Sequence, residues 1–169
     1  MTAPPNSQLQ VRLATADDLA AINDIYNYYV ATSTCTYQHE PSSDAERAAW
    51  FAAHDARHPV TVAELAGTIV GWGSLSDFRG RWGYRYTVEN SVYVKHDVQR
   101  CGVGRALLGD LIERARALGY HTIIAGISAE QKGSVVLHEQ AGFTRCGQLR
   151  EVGHKFEQWL DVLFMQLML

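Results

Sequence analysis

The chain has 169 residues, 47% of them hydrophobic and 20% charged, which suits one soluble domain with a sizeable core rather than two. Lys and Arg number 15 against 18 Asp and Glu, and the formal charge of −3 argues against a protein built to coat nucleic acid or an anionic membrane. Cys35, Cys101 and Cys146 form no CxxC pair, Met1 to Ser7 is not a targeting signal, and no stretch approaches the roughly 20 apolar residues of a membrane span, so the expectation is a reduced, cytoplasmic protein without a metal site.

Residues 1–8 read as a loose tail ahead of one domain spanning 1–169. Leu9 to Leu13 predicts an opening strand. Thr15 caps a helix, with Asp18 three residues on, and Leu19, Ile22, Ile25, Tyr26 and Tyr29 make its buried face. Pro41-Ser42-Ser43-Asp44 starts a second helix through Trp50 and Phe51. Val60 to Leu65 and Thr68 to Ser76 read as strands joined at Ala66-Gly67, a hairpin signal. Asp77 to Gly83 is a loop, and Tyr86 to Val94 a β-branched, aromatic strand.

Gly102 to Leu118 carries the clearest helical periodicity, with Leu107, Leu108, Leu111, Ile112, Ala115 and Leu118 on one face and Gly119 at the C-terminal stop. A strand (His121 to Ile127), a helix (Ser134 to Gln140, ended by Gly142) and two strands (Phe143 to Arg150, Leu160 to Leu169) complete the chain. The order β-α-α-β-β-β-α-β-α-β-β predicts a mixed α/β sheet with helices on both faces.

The sharpest local pattern is the strand Val92-Tyr93-Val94 followed by Gln99-Arg100-Cys101-Gly102-Val103-Gly104-Arg105 and the long helix. The first amides of that helix have no intrahelical acceptor and sit at the positive end of its dipole. Two glycines would let an anion approach them, and a pyrophosphate is the natural guest. The same glycines could simply make the turn and let the helix pack closely. Neither G-x-G-x-x-G nor a Walker loop is present.

Gln99-x-x-Gly102-x-Gly104, in that setting, resembles the acetyl-CoA loop of the Gcn5-related N-acetyltransferases (GNAT). Three further segments resemble the phosphinothricin acetyltransferase group within them: Tyr86 to Val94, Leu137-His138-Glu139-Gln140-Ala141-Gly142-Phe143, and Val152 to Val162 ending in Met165-Gln166. The resemblance implies a single-domain GNAT fold, a mixed sheet of about six to seven strands with about four helices, and direct acetyl transfer from acetyl-CoA to an amine without a cysteine nucleophile. It implies Glu89 as general base, which position alone leaves as a solvent-facing carboxylate or a partner of Arg85. It implies that the Val92 and Val94 backbone pairs with the pantetheine arm, flanked by Tyr93, and that residues 99–105 hold the pyrophosphate. His138 stands where a thiolate-protonating group is expected, as acid or relay, and Gln131 where an asparagine usually meets the pantetheine arm.

Phe78, Arg79 and Arg85 lie in or beside the loop ahead of Glu89, where arginine could fork onto an acceptor carboxylate; Tyr37 could add an aromatic wall. Cys101 reads as space filling. Glu157 replaces a glycine usual in the group. A homodimer is implied, with a small-molecule amine as the partner, and Phe156 and Trp159 could help form its interface or a core corner. The acceptor expected is an amino acid analogue such as phosphinothricin, methionine sulfoximine or methionine sulfone. A protein N-terminus, a lysine or an aminoglycoside is the alternative acceptor, and a non-catalytic acyl-CoA sensor the alternative class.

Overall fold

The computed structural model describes residues 8–98 and 100–169, so Gln99 and all of the expected tail except Gln8 lie outside the described residues. The elements are β1 (Gln10–Leu13), α1 (Leu19–Thr32), α2 (Asp44–Ala52), β2 (Val60–Leu65), β3 (Thr68–Asp77), β4 (Thr87–Val94), α3 (Val103–Ala117), β5 (Thr122–Ser128), α4 (Lys132–Gln140), β6 (Thr144–Lys155) and β7 (Gln158–Met168). The strands form one seven-stranded sheet in the order β1-β2-β3-β4-β5-β7-β6. Every neighbouring pair is antiparallel except β4 and β5.

Alternation along the strands sorts the core onto two faces. Val60, Val62 and Trp72 meet Ile22 and Ile25 of α1, with Trp50 and Phe51 of α2 packed alongside. On the other face Val88, Ile123, Ala125 and Ile127 meet Leu108, Leu111 and Ile112 of α3 and Val135 of α4. The mixed sheet with helices on both faces is therefore as the sequence predicted.

Two boundaries differ. Thr15 opens a short 3-10 turn, Ala16–Asp18, that leads into α1, and its N–H donates to Asp18 Oδ2 at 2.8 Å. The last two strands run beyond Arg150 and begin before Leu160, meeting at Phe156-Glu157. Both turn residues are left-handed (φ 49° and 58°), the geometry that matches strand twist in a tight hairpin. Neither residue type favours that conformation, so the turn carries no signal in the sequence. Glu157, the departure from glycine, therefore sits where glycine would be unstrained.

Helix α3 lies close to the sheet because β3 offers it glycines. A Cβ on Gly71 would stand 2.9 Å from the Tyr93 carbonyl and 3.0 Å from side-chain atoms of Leu107 and Val103. Gly71→Ala is expected to destabilise the protein by about 1–3 kcal/mol through overpacking, read as a lowered midpoint in thermal or urea denaturation.

Candidate active site

Strands β4 and β5 pair only at Thr87–Thr122, Val88–Ile123 and Glu89–Ile124. Beyond Glu89, β4 follows β3 to Val94 while β5 follows β7 to Ser128. The Tyr86 carbonyl accepts from the amides of His121 and Thr122, so the period of two turns the peptide groups of Asn90, Val92 and Val94 toward the gap. Tyr29 closes one of these groups by donating its hydroxyl to the Val94 carbonyl at 2.6 Å. The amides of Asn90, Val92 and Val94 open onto a groove of about 660 Å³ that the parted strands and the N-termini of α3 and α4 enclose. That volume is ordinary for a small-molecule site.

Gly102 caps α3 with φ 81°, and the Ala106 amide is bonded back to the Gly102 carbonyl. The preceding amides, Val103 to Arg105, therefore have no intrahelical acceptor and point toward the mouth of the groove. Arg100, itself left-handed at φ 64°, and Arg105 are exposed along the groove and add positive charge. Gly104 serves both readings of the glycines, since a Cβ there would meet Leu137 Cδ2 at 3.2 Å. The Val103 side chain is buried against Leu107, leaving only its backbone for a ligand, and Cys101 is exposed rather than filling space. Gln131 N-caps α4, lines the groove and donates to Thr34 Oγ1 at 3.2 Å. An anion cradle and an unpaired strand edge together fit a long thioester bearing a pyrophosphate.

Glu89 and His138 lie on opposite faces of the sheet. Val88 and Asn90 point toward α3 and α4, so Glu89, Ser91 and Tyr93 point toward α1 and α2. The Glu89 carboxylate lies against the bare backbone of Gly126, where a Cβ would stand 3.1 Å from Oε1. Burial raises its pKa above the ordinary carboxylate value. It is not paired with Arg85, whose guanidinium stacks on Trp82 at 3.4 Å and on Tyr86 at 4.3 Å.

His138 is buried among α4, Asn90 and Phe143. Its Nδ1 donates to the Ser134 carbonyl at 2.8 Å, which leaves Nε2 to accept from Asn90 Nδ2 at 3.0 Å. Burial lowers its pKa, so this neutral tautomer dominates. Its proton faces the helix, not the groove. The arrangement holds Asn90 at the edge of the gap, and a proton at Nε2 would require that amide to turn its oxygen to the ring.

The remaining candidates divide. Tyr37 donates to the Asp161 carbonyl at 2.8 Å and lies over Gly153, joining the α1–α2 connection to the β6–β7 ribbon. Phe78 and Arg79 stack on each other and on Tyr84 within their own loop, and neither they nor Arg85 line the groove. Lys155, to which the sequence reading gave no role of its own, is buried and donates to the carbonyls of Ser33 and Thr36 at 2.7 and 2.8 Å. It fixes the same connection. A lysine in a polar ribbon offers no periodicity that would reveal this, nor does Asn90 within β4. Among the described residues no group of three or more His, Cys, Asp and Glu is arranged to hold a metal, and no helix is long and apolar enough to cross a membrane.

A family profile described as an acetyltransferase (GNAT) domain matches residues 11–164. An L-amino acid N-acyltransferase of Escherichia coli is 42% identical over 162 residues, 95% of this chain and 94% of that protein. An L-methionine sulfoximine/L-methionine sulfone acetyltransferase of Salmonella typhimurium is 41% identical, covering 95% of each. The crystal structure of a phosphinothricin acetyltransferase of Sinorhizobium meliloti in complex with acetyl-CoA superposes with a TM-score of 0.92 at 37% identity, over 95% of this chain and 88% of that one.

The half-buried Glu89 has a consequence for stability. Its folded pKa lies above the unfolded value of 4.5, so ionising it costs stability as the pH rises through that interval. Glu89→Gln is expected to melt at an equal or higher temperature than the parent at pH 7, with the advantage shrinking as the pH falls from the raised folded pKa toward the ordinary value of 4.5 and absent below it. Thermal denaturation across that range checks it.

Proposed function

Because the chain belongs to the acetyl-CoA-dependent GNAT N-acetyltransferases, we propose that it acetylates the α-amino group of a small amino acid or amino acid analogue, with Glu89 as the general base. The observation that carries this reading is the Glu89 carboxylate, half-buried and raised in pKa, at the point where the parallel pairing ends. It looks away from the α3–α4 face, toward α1 and α2. The relatives named above act on L-amino acids, methionine sulfoximine and methionine sulfone, and they supply the acceptor class.

Acetyl-CoA supplies an activated thioester carbonyl. The chain does the rest. The α3 N-terminus, with Arg100 and Arg105, holds the diphosphate end, and the amides of Val92 and Val94 hold the arm along β4. The Val94 amide, which faces the gap, is placed to donate to the carbonyl oxygen as negative charge develops. On the far face Glu89 takes the proton that the acceptor ammonium must lose before its free amine attacks, directly or through water; as the new C–N bond forms the C–S bond breaks, and the departing thiolate takes up a proton from water. Holding donor and acceptor on opposite sides of one opening contributes much of the rate by orientation. His138 acts by keeping Asn90 at the edge of that opening. We extend the reading to a cytoplasmic homodimer, supported by the exposed Leu149, Val152, Phe156 and Trp159 of the β6–β7 ribbon.

A thiol-release assay with methionine sulfone, methionine sulfoximine, phosphinothricin, ordinary amino acids, an aminoglycoside and a short peptide tests the reading. Turnover on the amino acid analogues is expected, with kcat/KM falling about 10²–10⁴-fold in Glu89→Gln. The parent's kcat/KM should also fall in acid with a midpoint above the ordinary carboxylate pKa, and that limb should be missing in the variant. Turnover only on the peptide or aminoglycoside would refute the acceptor, and full activity in Glu89→Gln would refute the base.

A further inference from the structure

Where α1 meets the end of β4 its surface is aromatic. Tyr28 and Tyr29 follow each other in the helix, their rings edge to face with centroids 5.3 Å apart. Tyr29 donates its hydroxyl to the Val94 carbonyl at 2.6 Å. Tyr28 meets the segment beyond. Its ring lies on the imidazole of His96, with centroids 3.9 Å apart and planes inclined by 12°. Two successive residues of one helix thus hold two successive features of the chain, the last peptide of the strand edge and the start of the turn that follows it.

That turn, the 3-10 segment His96–Val98, carries the chain from β4 toward the N-terminus of α3. Its base is fixed, since the Lys95 amide donates to the Val70 carbonyl at 2.8 Å. It closes where the Val98 amide donates to the Lys95 carbonyl at 3.1 Å, and the Val98 side chain packs in the cluster of Val70, Val103 and Leu107. Beyond it Arg100 and Gly102 are both left-handed, at φ 64° and 81°, and the α3 amides at the mouth of the groove follow at once. A left-handed arginine is a strained conformation, which persists only where the surrounding structure holds the chain.

Tyr28 and His96 are both exposed, so neither serves to fill a core. The ion pair of Lys95 and Asp97, at 3.1 Å, joins neighbours within the segment and does not anchor it to the rest of the fold. The ring stack does, because Tyr28 belongs to α1. Backbone amides bind an anion well when they converge before it arrives; amides that must first be gathered lose affinity to the entropy of ordering them. We propose that the Tyr28–His96 stack is a brace that presets the diphosphate-binding end of the groove, making both residues positioning residues for acetyl-CoA. This rests on the reading of the groove as the donor site. It divides the work of α1, with Tyr29 fixing the Val94 peptide and Tyr28 the turn. Loss of the stack therefore weakens donor binding and leaves the chemical step alone.

Titration calorimetry with acetyl-CoA, alongside kcat at saturating donor, compares the parent with Tyr28→Ala, His96→Ala, the double variant and His96→Phe, which keeps a flat ring. Each alanine variant should bind acetyl-CoA about 3–10-fold more weakly, the worth of one aromatic pair. The double variant should be no weaker than either single one, since both changes remove the same contact. His96→Phe should bind as the parent does, and kcat should hold throughout. A merely structural role lowers the fraction of competent protein, which calorimetry reads in the stoichiometry and not in the affinity. Unchanged affinity in the alanine variants, additive losses in the double variant, or an equal loss in His96→Phe overturns the brace. So does a fall in kcat with affinity intact, which would put the effect on the Val94 peptide. A parent that does not bind acetyl-CoA overturns the donor site, and the brace with it.

Discussion

Everything at this site depends on two parallel strands that stay together for three residue pairs and then part. While β4 and β5 are paired, their peptide groups satisfy each other. Past Glu89 and Ile124, β4 keeps its other neighbour, β3, and β5 keeps β7, so both remain anchored with one edge unpaired. An unpaired edge inside a sheet would normally be a liability, because buried backbone groups need partners. Here the edge borders a groove, and an extended ligand can complete the ladder. The parting also leaves the Glu89 carboxylate against the backbone of Gly126, a residue that lines the groove.

The titratable groups around that parting are set by burial rather than by ion pairing. Glu89 is raised because it is withdrawn from water against the Gly126 backbone, and His138 is lowered for the same reason beside Asn90. Arg47 is withdrawn too, among three aromatic rings, with burial lowering its pKa. A carboxylate ready to accept a proton, a neutral imidazole and a buried guanidinium are each less stable than their exposed counterparts. Their cost is carried by the two packed faces, α1 and α2 on one side and α3 and α4 on the other. Lys155 and Tyr37 fix the α1–α2 connection to the β6–β7 ribbon.

The element order was legible because each long element carries its own period: the apolar face from Leu107 to Leu118, the alternation in Val60 to Leu65, the glycine opening α3. The glycine loop was legible for the same reason. The β6–β7 turn was not, since Phe156 and Glu157 adopt a left-handed conformation that their side chains do not favour. The gap between β4 and β5 carries no local signal either, since it arises from how two strands choose different partners, and only the family resemblance implied the free Val92 and Val94 backbone. Arg47 looks like any helical arginine in the chain; its rings come from three separate elements, and only the fold assembles them. Arg79 and Arg85, by contrast, were conspicuous in sequence but stack on rings of their own loop.

The central claim is that the unpaired edge of β4 is where the acetyl donor is held. Amide hydrogen exchange on this chain, followed residue by residue with and without saturating acetyl-CoA, tests it most directly. The Val92 and Val94 amides, which face the gap, should become strongly protected on binding, while those of Ser91 and Tyr93, which face β3, change little. Protection that appears elsewhere and leaves Val92 and Val94 exchanging as before would contradict the account.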